Sequence, residues 1–341
     1  MLYSLATSLR RLGGRALAGA GALAVSLAAG SAVPAWAEVD SIRLDYAYYS
    51  PVSLVLKEQG WLEEEFAADG IEIEWVLSLG SNKALEFLNS GSVDFSSSAG
   101  AAALLAKVNG NPLKSIYIYS KPEWTALVTR PDTGITKIED LKGRTVAVTR
   151  GTDPYIFLLR ALDSVGLTEK DITPVLIQHP DGKTALVNGD VDAWAGLDPH
   201  MAQAELDNDA VLFYRNADAN TYGVLNVREA FAEENPELVE RVLAVYEKAR
   251  KWSIENPDEV RAALVRATKI SDEVAAIQLE QRTDLSDPII GDKVRESILA
   301  AGLVLQSAGI IPADVDVAAT VDAQIDDQYV RRVTEKLAAG Q

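Results

Sequence analysis

Residues 142–166 have the sequence KGRTVAVTRGTDPYIFLLRALDSVG. The β-branched run at 144–149 predicts a buried strand, and the apolar residues that follow recur on one face of a helix: Leu158, Ala161, Leu162 and Val165. Between these patterns, Gly151 predicts a tight turn, and Asp153 and Pro154 predict the N-cap and first position of the helix. A helix that starts directly after a strand presents free backbone N–H groups, which favour an anion. The stretch therefore predicts an anion-binding strand, turn and helix, with a carboxylate at the entrance.

Strand and helix patterns alternate in the same way from Ser41 onward, which predicts an α/β fold. Two such series follow one another, and from Pro236 the chain is nearly all helical. We predict two lobes, each a mixed, mostly parallel sheet flanked by helices, with a helical C-terminal tail. The crossovers between the lobes are expected near residues 129–131 and 222–227. The predicted first lobe is discontinuous (38–128 and 226–341), and the second covers 129–225.

The first 37 residues have the pattern of a signal peptide. Three arginines (Arg10, Arg11 and Arg15) precede an uncharged apolar stretch at 16–29, and Ala35-Trp36-Ala37 provides a cleavage pattern. We expect cleavage after Ala37 and a soluble periplasmic product without stable membrane insertion. The apolar stretch is short for a membrane span, although an uncleaved anchor is the alternative. Arg10-Arg11 leaves twin-arginine export open, but the surrounding residues favour ordinary secretion.

Composition and motifs restrict the function. The chain has no cysteine and a formal net charge of −18, so neither disulfides nor a lipid-bearing cysteine occur, and nucleic acid is disfavoured as a partner. His179 and His200 are far apart in sequence, and each is expected at the surface. The sequence contains no G-x-S-x-G or Walker A motif and no close set of metal ligands. We therefore expect a non-enzyme with no catalytic residue, cofactor or metal.

A short pattern recurs where helices follow strands. Ser50-Pro51, Asp153-Pro154 and Asp198-Pro199 each place a capping side chain before a proline. Each of these is an ordinary helix start taken alone. Together, at the carboxyl ends of strands in two lobes, they predict a shared ligand cleft lined by helix N-termini.

Three segments carry a family resemblance: LKGRTVAVTRGTDPYIFLLRALDSVGL, NSGSVDFSSSAGAAAL and NGDVDAWAGLDPHMAQAEL. They resemble the periplasmic binding proteins for aliphatic sulfonates and taurine, within a broader nitrate/sulfonate/bicarbonate group. The similarity runs in order over nearly the whole mature chain. It implies a type II periplasmic binding protein, a monomeric receptor that closes on a small solute and delivers it to an ABC permease and its ATPase. A receptor for an amine, aromatic or pyrimidine-like solute, a periplasmic sensor and an enzyme on this fold stay as alternatives. Some relatives of the fold make the thiamin pyrimidine with a cysteine-rich motif, which this chain lacks.

The resemblance also implies a set of ligand-binding residues: Tyr48, Tyr49, Ser50, Gly80, Ser81, Ser97, Ser98, Ala99, Thr152, Asp153, Tyr155, Trp194 and Asp198. Hydroxyls and helix-start N–H groups suit an oxyanion, and aromatic residues, including Trp124, suit an organic tail. Trp194 also fits a core position, and Tyr48 and Tyr49 point to opposite faces of a strand. The chain departs from the family pattern at two positions. Gly100 stands where sulfonate binders often have Asp, and Asp153 stands where they often have a hydroxyl.

Asp153 poses an electrostatic problem for a sulfonate. Two like charges about 4 Å apart repel by about 4 kcal/mol at an effective dielectric of 20, while a helix start returns at most about 2 kcal/mol. Two solutions stay open. Asp153 caps its own helix through the amides of residues 155 and 156, or it pairs, with Glu123, with the ammonium of a solute such as taurine.

Overall fold

The computed structural model describes residues 39–340. Its strands are β1 (Ser41–Tyr46), β2 (Glu72–Leu77), β3 (Phe95–Ala99), β4 (Leu113–Pro122), β5 (Leu127–Thr129), β6 (Thr145–Val148), β7 (Thr173–Leu176), β8 (Ala193–Ala195), β9 (Val211–Tyr214), β10 (Gly223–Arg228) and β11 (Thr283–Asp284). Its helices are α1 (Pro51–Gln59), α2 (Trp61–Phe66), α3 (Ser81–Asn89), α4 (Gly100–Val108), α5 (Asp153–Ser164), α6 (His179–Asn188), α7 (His200–Asn208), α8 (Glu229–Glu234), α9 (Pro236–Glu255), α10 (Pro257–Thr268), α11 (Asp272–Ala276), α12 (Asp292–Ser307), α13 (Val317–Gln324) and α14 (Gln328–Ala338).

The strands form two sheets, which confirms the predicted α/β fold. The first sheet has the order β11-β4-β10-β3-β1-β2, and the second has the order β7-β6-β8-β5-β9. Parallel pairs join β1 to β2 and β3, and β6 to β7 and β8. The pairs made by β10 and β5 are antiparallel, because the chain turns back where it changes sheets. The sheets are therefore mixed, as predicted, and most strands of each sheet run in one direction: β1–β4 in the first and β6–β9 in the second. We call the elements built on each sheet the first-sheet unit and the second-sheet unit.

The chain passes between the sheets twice. It leaves the first sheet at Pro122 and enters the second at Leu127, and it returns between Tyr214 and Gly223. Both crossovers lie a few residues before the predicted positions, because residues 129 and 223–228 continue strands β5 and β10.

Residues 142–166 form the predicted strand, turn and helix, which are β6, the turn at Gly151 and α5. Strand β6 is nearly fully buried, and α5 buries the apolar face that begins at Ile156 and includes Leu158 and Leu162. The structure places Thr152, rather than Asp153, at the N-cap of α5. Among residues 39–340, no helix has the length and apolar character needed to cross a membrane. The predicted signal peptide at 1–37 lies outside the described residues.

Candidate functional site

The helices that follow the parallel strands begin at the carboxyl ends of those strands. In the first-sheet unit, α1, α3 and α4 follow β1, β2 and β3, and in the second-sheet unit α5, α6 and α7 follow β6, β7 and β8. The residues directly before these helices are Ser50, Gly80, Ala99, Thr152, Gln178 and Pro199. Open α/β sheets bind ligands at this edge, and helix N-termini favour anions. These helix starts form the candidate site.

The two sets of helix starts meet at two glycines. A Cβ atom on Gly80 would lie 3.2 Å from Cδ2 and 3.3 Å from Nε2 of His179, which begins α6. A Cβ atom on Gly151 would lie 3.4 Å from Cβ of Asn82, near the start of α3. Glycine at both positions therefore allows the first-sheet and second-sheet helix starts to approach closely, and the candidate site lies between the units.

Several buried polar atoms at these helix starts have no hydrogen-bond partner within the described residues. They are Ser50 Oγ, Asn82 Oδ1, Gln178 Oε1 and both ring nitrogens of His179. A buried polar atom without a partner costs about 1–3 kcal/mol, so such atoms are rare unless a ligand or water pairs with them. Their position at facing helix starts favours a binding function.

His179 is buried, contrary to the expected surface position, and its side chain is fully inaccessible. Burial lowers the pKa of its imidazole to about 3, with a further lowering contribution from His200. His179 is therefore neutral at ordinary pH, with one nitrogen able to donate a hydrogen bond and the other able to accept one. The sequence does indicate that His179 lies at a helix start, because His179-Pro180 places a polar residue before a proline after a strand, as at Ser50-Pro51, Asp153-Pro154 and Asp198-Pro199.

Asp45, near the end of β1, holds the first-sheet loops together. Its carboxylate accepts hydrogen bonds from Ser78 Oγ (2.5 Å), from Ser97 N (2.7 Å) and from Ser97 Oγ (2.7 Å). The hydroxyl of Tyr49 donates to the carbonyl oxygen of Ser97 (3.1 Å). Burial raises the pKa of Asp45 to about 6, and the serine hydrogen bonds oppose that rise. Tyr49 and Ser97 therefore brace the loops from within, a role that sequence reasoning missed.

Other predicted first-sheet residues lie at the same edge. Ser81 Oγ accepts a hydrogen bond from Ala99 N (3.0 Å), which ties α3 to the end of β3. Ser98 Oγ donates to the carbonyl oxygen of Ala99 (3.2 Å) and accepts from Asn226 Nδ2 (2.8 Å). Tyr48 is half-buried. Ser81 and Ser98 thus join neighbouring elements, and Ser50 keeps a hydroxyl without a protein partner.

Asp153 does not cap α5, so the capping solution was wrong, and its carboxylate is hydrogen-bonded within the protein. Its oxygens accept hydrogen bonds from Trp124 Nε1 (2.9 Å), Thr221 N (2.8 Å) and Thr221 Oγ1 (2.7 Å). No side-chain cap bond is made at the start of α5. Burial raises the pKa of Asp153, while the Trp124 and Thr221 hydrogen bonds act against that rise. The carboxylate ties α5 to both crossovers.

Glu123 and Trp124 also belong to the crossovers. Glu123 is paired with Arg215 in two hydrogen bonds (2.9 and 2.7 Å), which join the outgoing crossover to the returning one. Trp124 is buried and packs edge-on against Tyr49, with ring centroids 5.8 Å apart. In this structure the Glu123 carboxylate therefore has a protein partner, Arg215, in place of the predicted solute ammonium.

Asp198 forms an ion pair between the two units. Its oxygens lie 3.2 Å from Arg282 Nη1, and Arg282 Nη2 donates to Glu205 (2.5 Å). Arg282 directly precedes β11 of the first sheet, while Asp198 and Glu205 belong to the second-sheet unit. Asp198 also accepts from Ala202 N (2.9 Å) and so caps the start of α7. Burial raises the pKa of Asp198 to about 6, and Arg282 opposes that rise.

Three further predicted residues are used inside the second-sheet unit. Thr152 Oγ1 donates to the carbonyl oxygen of Thr149 (2.6 Å), and the Tyr155 hydroxyl donates to Glu169 Oε2 (3.2 Å). Trp194 is buried in the core of this unit, where a Cβ on Gly182 would lie 2.6 Å from its Nε1. Trp194 is therefore a core residue, as one of the two interpretations of the sequence, core or ligand contact, predicted. Among the described residues, no group of three or more acidic or histidine side chains could hold a metal ion.

Comparisons with known proteins agree with this architecture. Residues 52–260 match the family model described as NMT1/THI5 like. A candidate aliphatic sulfonates-binding protein of Bacillus subtilis is 26% identical over 306 residues, covering 89% of this chain and 91% of that protein. Its counterpart in Escherichia coli is 27% identical, covering 88% of this chain and 93% of that protein.

A solved structure, the alkanesulfonate-binding protein SsuA of Xanthomonas axonopodis bound to MOPS, has the same fold. Its TM-score is 0.75 at 23% identity, over 85% of this chain and 99% of that one. A more partial relative is an Aspergillus parasiticus protein named 4-amino-5-hydroxymethyl-2-methylpyrimidine phosphate synthase, 25% identical over 62% of this chain and 64% of that protein.

Proposed function

We propose, from the premise that this chain belongs to the NMT1/THI5-like family, that it is the solute-binding receptor of an ABC importer. The receptor captures an organic sulfonate between the two units and delivers it to a permease and its ATPase. The observation that carries this proposal is the set of helix starts that face one another across the two sheets. Several polar side chains at these helix starts have no hydrogen-bond partner within residues 39–340, and the start of a helix favours an anion, so the arrangement suits an oxyanion with several acceptor atoms.

Closure in this proposal is a hinge motion of the two lobes about the crossovers. The lobes in this proposal divide at the observed crossovers, so that β1–β4 and the chain from β10 onward form one lobe and β5–β9 form the other, and the receptor is monomeric. The Glu123–Arg215 pair and the Asp153 hydrogen bonds support the hinge, because they make the two crossovers one connected element. Export by a signal peptide at 1–37 places the receptor in the periplasm.

The oxyanion site in this proposal consists of the helix starts at Ser50, Gly80 and Ser81, with Thr152 opposite. The predicted contact at Ala99 is not included, because the amides of Ala99, Gly100 and Ala101 donate to acceptors within the protein. Relatives over nearly the full chain length are named for aliphatic sulfonates, which supports this ligand class. The absence of cysteine speaks against the cysteine-dependent pyrimidine chemistry of some relatives.

Isothermal titration calorimetry of the purified protein tests the proposal. We expect 1:1 binding of at least one of methanesulfonate, ethanesulfonate and 2-aminoethanesulfonate. Gly80→Leu should abolish that binding, because a Cβ there already lies 2.9 Å from Asn82 Oδ1 and 3.3 Å from His179 Nε2. Ala68→Leu, at an exposed position, is the matched control and should bind normally. Binding of nitrate or an amine, without any sulfonate, would contradict the proposed ligand class.

A further inference from the structure

Two buried polar atoms without protein partners converge beside Gly80. The position that a Cβ on Gly80 would take lies 2.9 Å from Asn82 Oδ1 and 3.3 Å from His179 Nε2. Asn82 belongs to the first-sheet unit and His179 to the second-sheet unit, and neither atom has a hydrogen-bond partner in the described residues. Both atoms therefore lie next to Gly80 on facing units, close enough to each other for one polar group of a solute to contact both when it enters between the units.

The chemistry of the two atoms selects the kind of group. The amide oxygen of Asn82 only accepts hydrogen bonds. The imidazole of His179 is neutral because burial lowers its pKa to about 3, so its Nε2 accepts a hydrogen bond when Nδ1 carries the proton. Within residues 39–340, neither ring nitrogen has a hydrogen-bond partner and no group fixes the tautomer, so a solute can set it. A group with at least two N–H bonds, such as an alkylammonium, can donate to both acceptors.

We propose that Asn82 and His179 form a donor-recognising pair in the ligand cleft, which favours aminosulfonates over sulfonates that have no hydrogen-bond donor. The inference rests on the proposed function, since the sulfonate of the same solute binds the helix starts. It also replaces Asp153 as the partner of a solute amine, because the Asp153 carboxylate already accepts three hydrogen bonds from Trp124 and Thr221.

The test compares 2-aminoethanesulfonate with ethanesulfonate, which differ by the amine, through dissociation constants from calorimetry. We expect the protein to bind the aminosulfonate at least tenfold more tightly. His179→Leu should bring the two affinities within threefold of each other, mainly by weakening the aminosulfonate. His179→Gln is the matched control, because its amide oxygen replaces the acceptor at Nε2, and it should retain most of the preference.

Melting temperature separates this role from a structural one. Since no protein group pairs with the imidazole, His179→Leu without solute should melt within a few degrees of the unmodified protein. Asn82→Leu is a second, independent variant at a half-buried residue. It should also remove the preference for 2-aminoethanesulfonate over ethanesulfonate. Equal binding of both sulfonates by the unmodified protein, or a preference that survives both leucine variants, would overturn this inference alone. If neither sulfonate binds, the inference and the proposed function both fail.

Discussion

The loops at the carboxyl ends of the two sheets are built differently. In the first-sheet unit, the Asp45 carboxylate joins Ser78 and Ser97, so the loops after β1, β2 and β3 support one another. In the second-sheet unit, Asp153 joins α5 to the two crossovers, and the His179 side chain has no hydrogen-bond partner in the part of the chain that the structure describes. One half of the candidate site is therefore preorganised internally. The other half is attached to the segments that connect the units.

This difference assigns separate tasks to the two halves. Loops that are held together by internal hydrogen bonds bind an anion with little reorganisation, which preserves binding free energy. The second-sheet half of the candidate site is attached to the crossovers, so it moves when they move. It is therefore suited to closing over a bound solute. Replacing single residues in each half tests whether this division of tasks is real.

The largest expected effect is at Asp45. Asp45→Ala leaves the buried donors of Ser78 and Ser97 without their acceptor, and we expect the free energy of unfolding to fall by about 3 kcal/mol. Urea unfolding followed by circular dichroism measures it. Asp163→Ala, at an exposed position on α5, is the control and should change stability by less than about 0.5 kcal/mol. A loss below about 1 kcal/mol at Asp45 would show that the first-sheet loops do not depend on this carboxylate.

A smaller effect is expected at Asp153. Asp153→Asn keeps the shape but replaces one acceptor oxygen with an amide donor, so one of the Trp124 and Thr221 hydrogen bonds is lost. We expect a destabilisation of about 1–2 kcal/mol in the same urea assay. The ratio of affinities for 2-aminoethanesulfonate and ethanesulfonate should not change. A collapse of that ratio would restore Asp153 as a solute contact.

The smallest effect is a difference in pH dependence. The pKa of Asp45 rises from 3.8 to about 6 on folding, so the folded state binds more protons and stability falls as pH rises from about 4 to 6. The pKa of His179 falls from 6.5 to about 3, so its contribution to stability rises with pH between about 3 and 6.5.

Asp45→Asn and His179→Leu should therefore change the slope of stability against pH in opposite directions between pH 4 and 6. Each change should reach at most about 1.4 kcal/mol per pH unit, the value for one proton. Urea unfolding at intervals across this range gives both slopes. Slope changes of the same sign in the two variants would contradict the opposite pKa shifts assigned to Asp45 and His179.

The sequence predicted the parts of the fold that depend on neighbouring residues. The strand, turn and helix around Gly151 follow from local spacing, and the structure confirms them. Local spacing could not predict the role of Asp153, because its partners Trp124 and Thr221 are 29 and 68 residues away in the sequence. Capping rules describe local hydrogen bonds, and here tertiary hydrogen bonds replace them.

The sequence contains patterns that indicate two features absent from the predictions, the buried carboxylate of Asp45 and the helix start at His179. Asp45 is a charged residue inside the apolar strand pattern IRLDY, and a buried carboxylate requires partners. His179 directly follows a strand and precedes a proline, like the three helix starts that were identified. The distance between Asn82 and His179 had no such signal, because the approach of the two units sets it.

Gly100, the first residue of α4, limits how this site can change during evolution. A Cβ atom there would lie 2.7 Å from Cδ1 of Ile298 on α12, so an aspartate at this position, as in the family pattern, collides with a buried side chain. The glycine-to-aspartate step is therefore unfavourable until Ile298 becomes smaller. Ile298→Ala alone leaves a cavity in the core and costs about 2–5 kcal/mol. Each single step lowers stability, so an aspartate at position 100 requires a compensating change at residue 298 or a background with stability to spare.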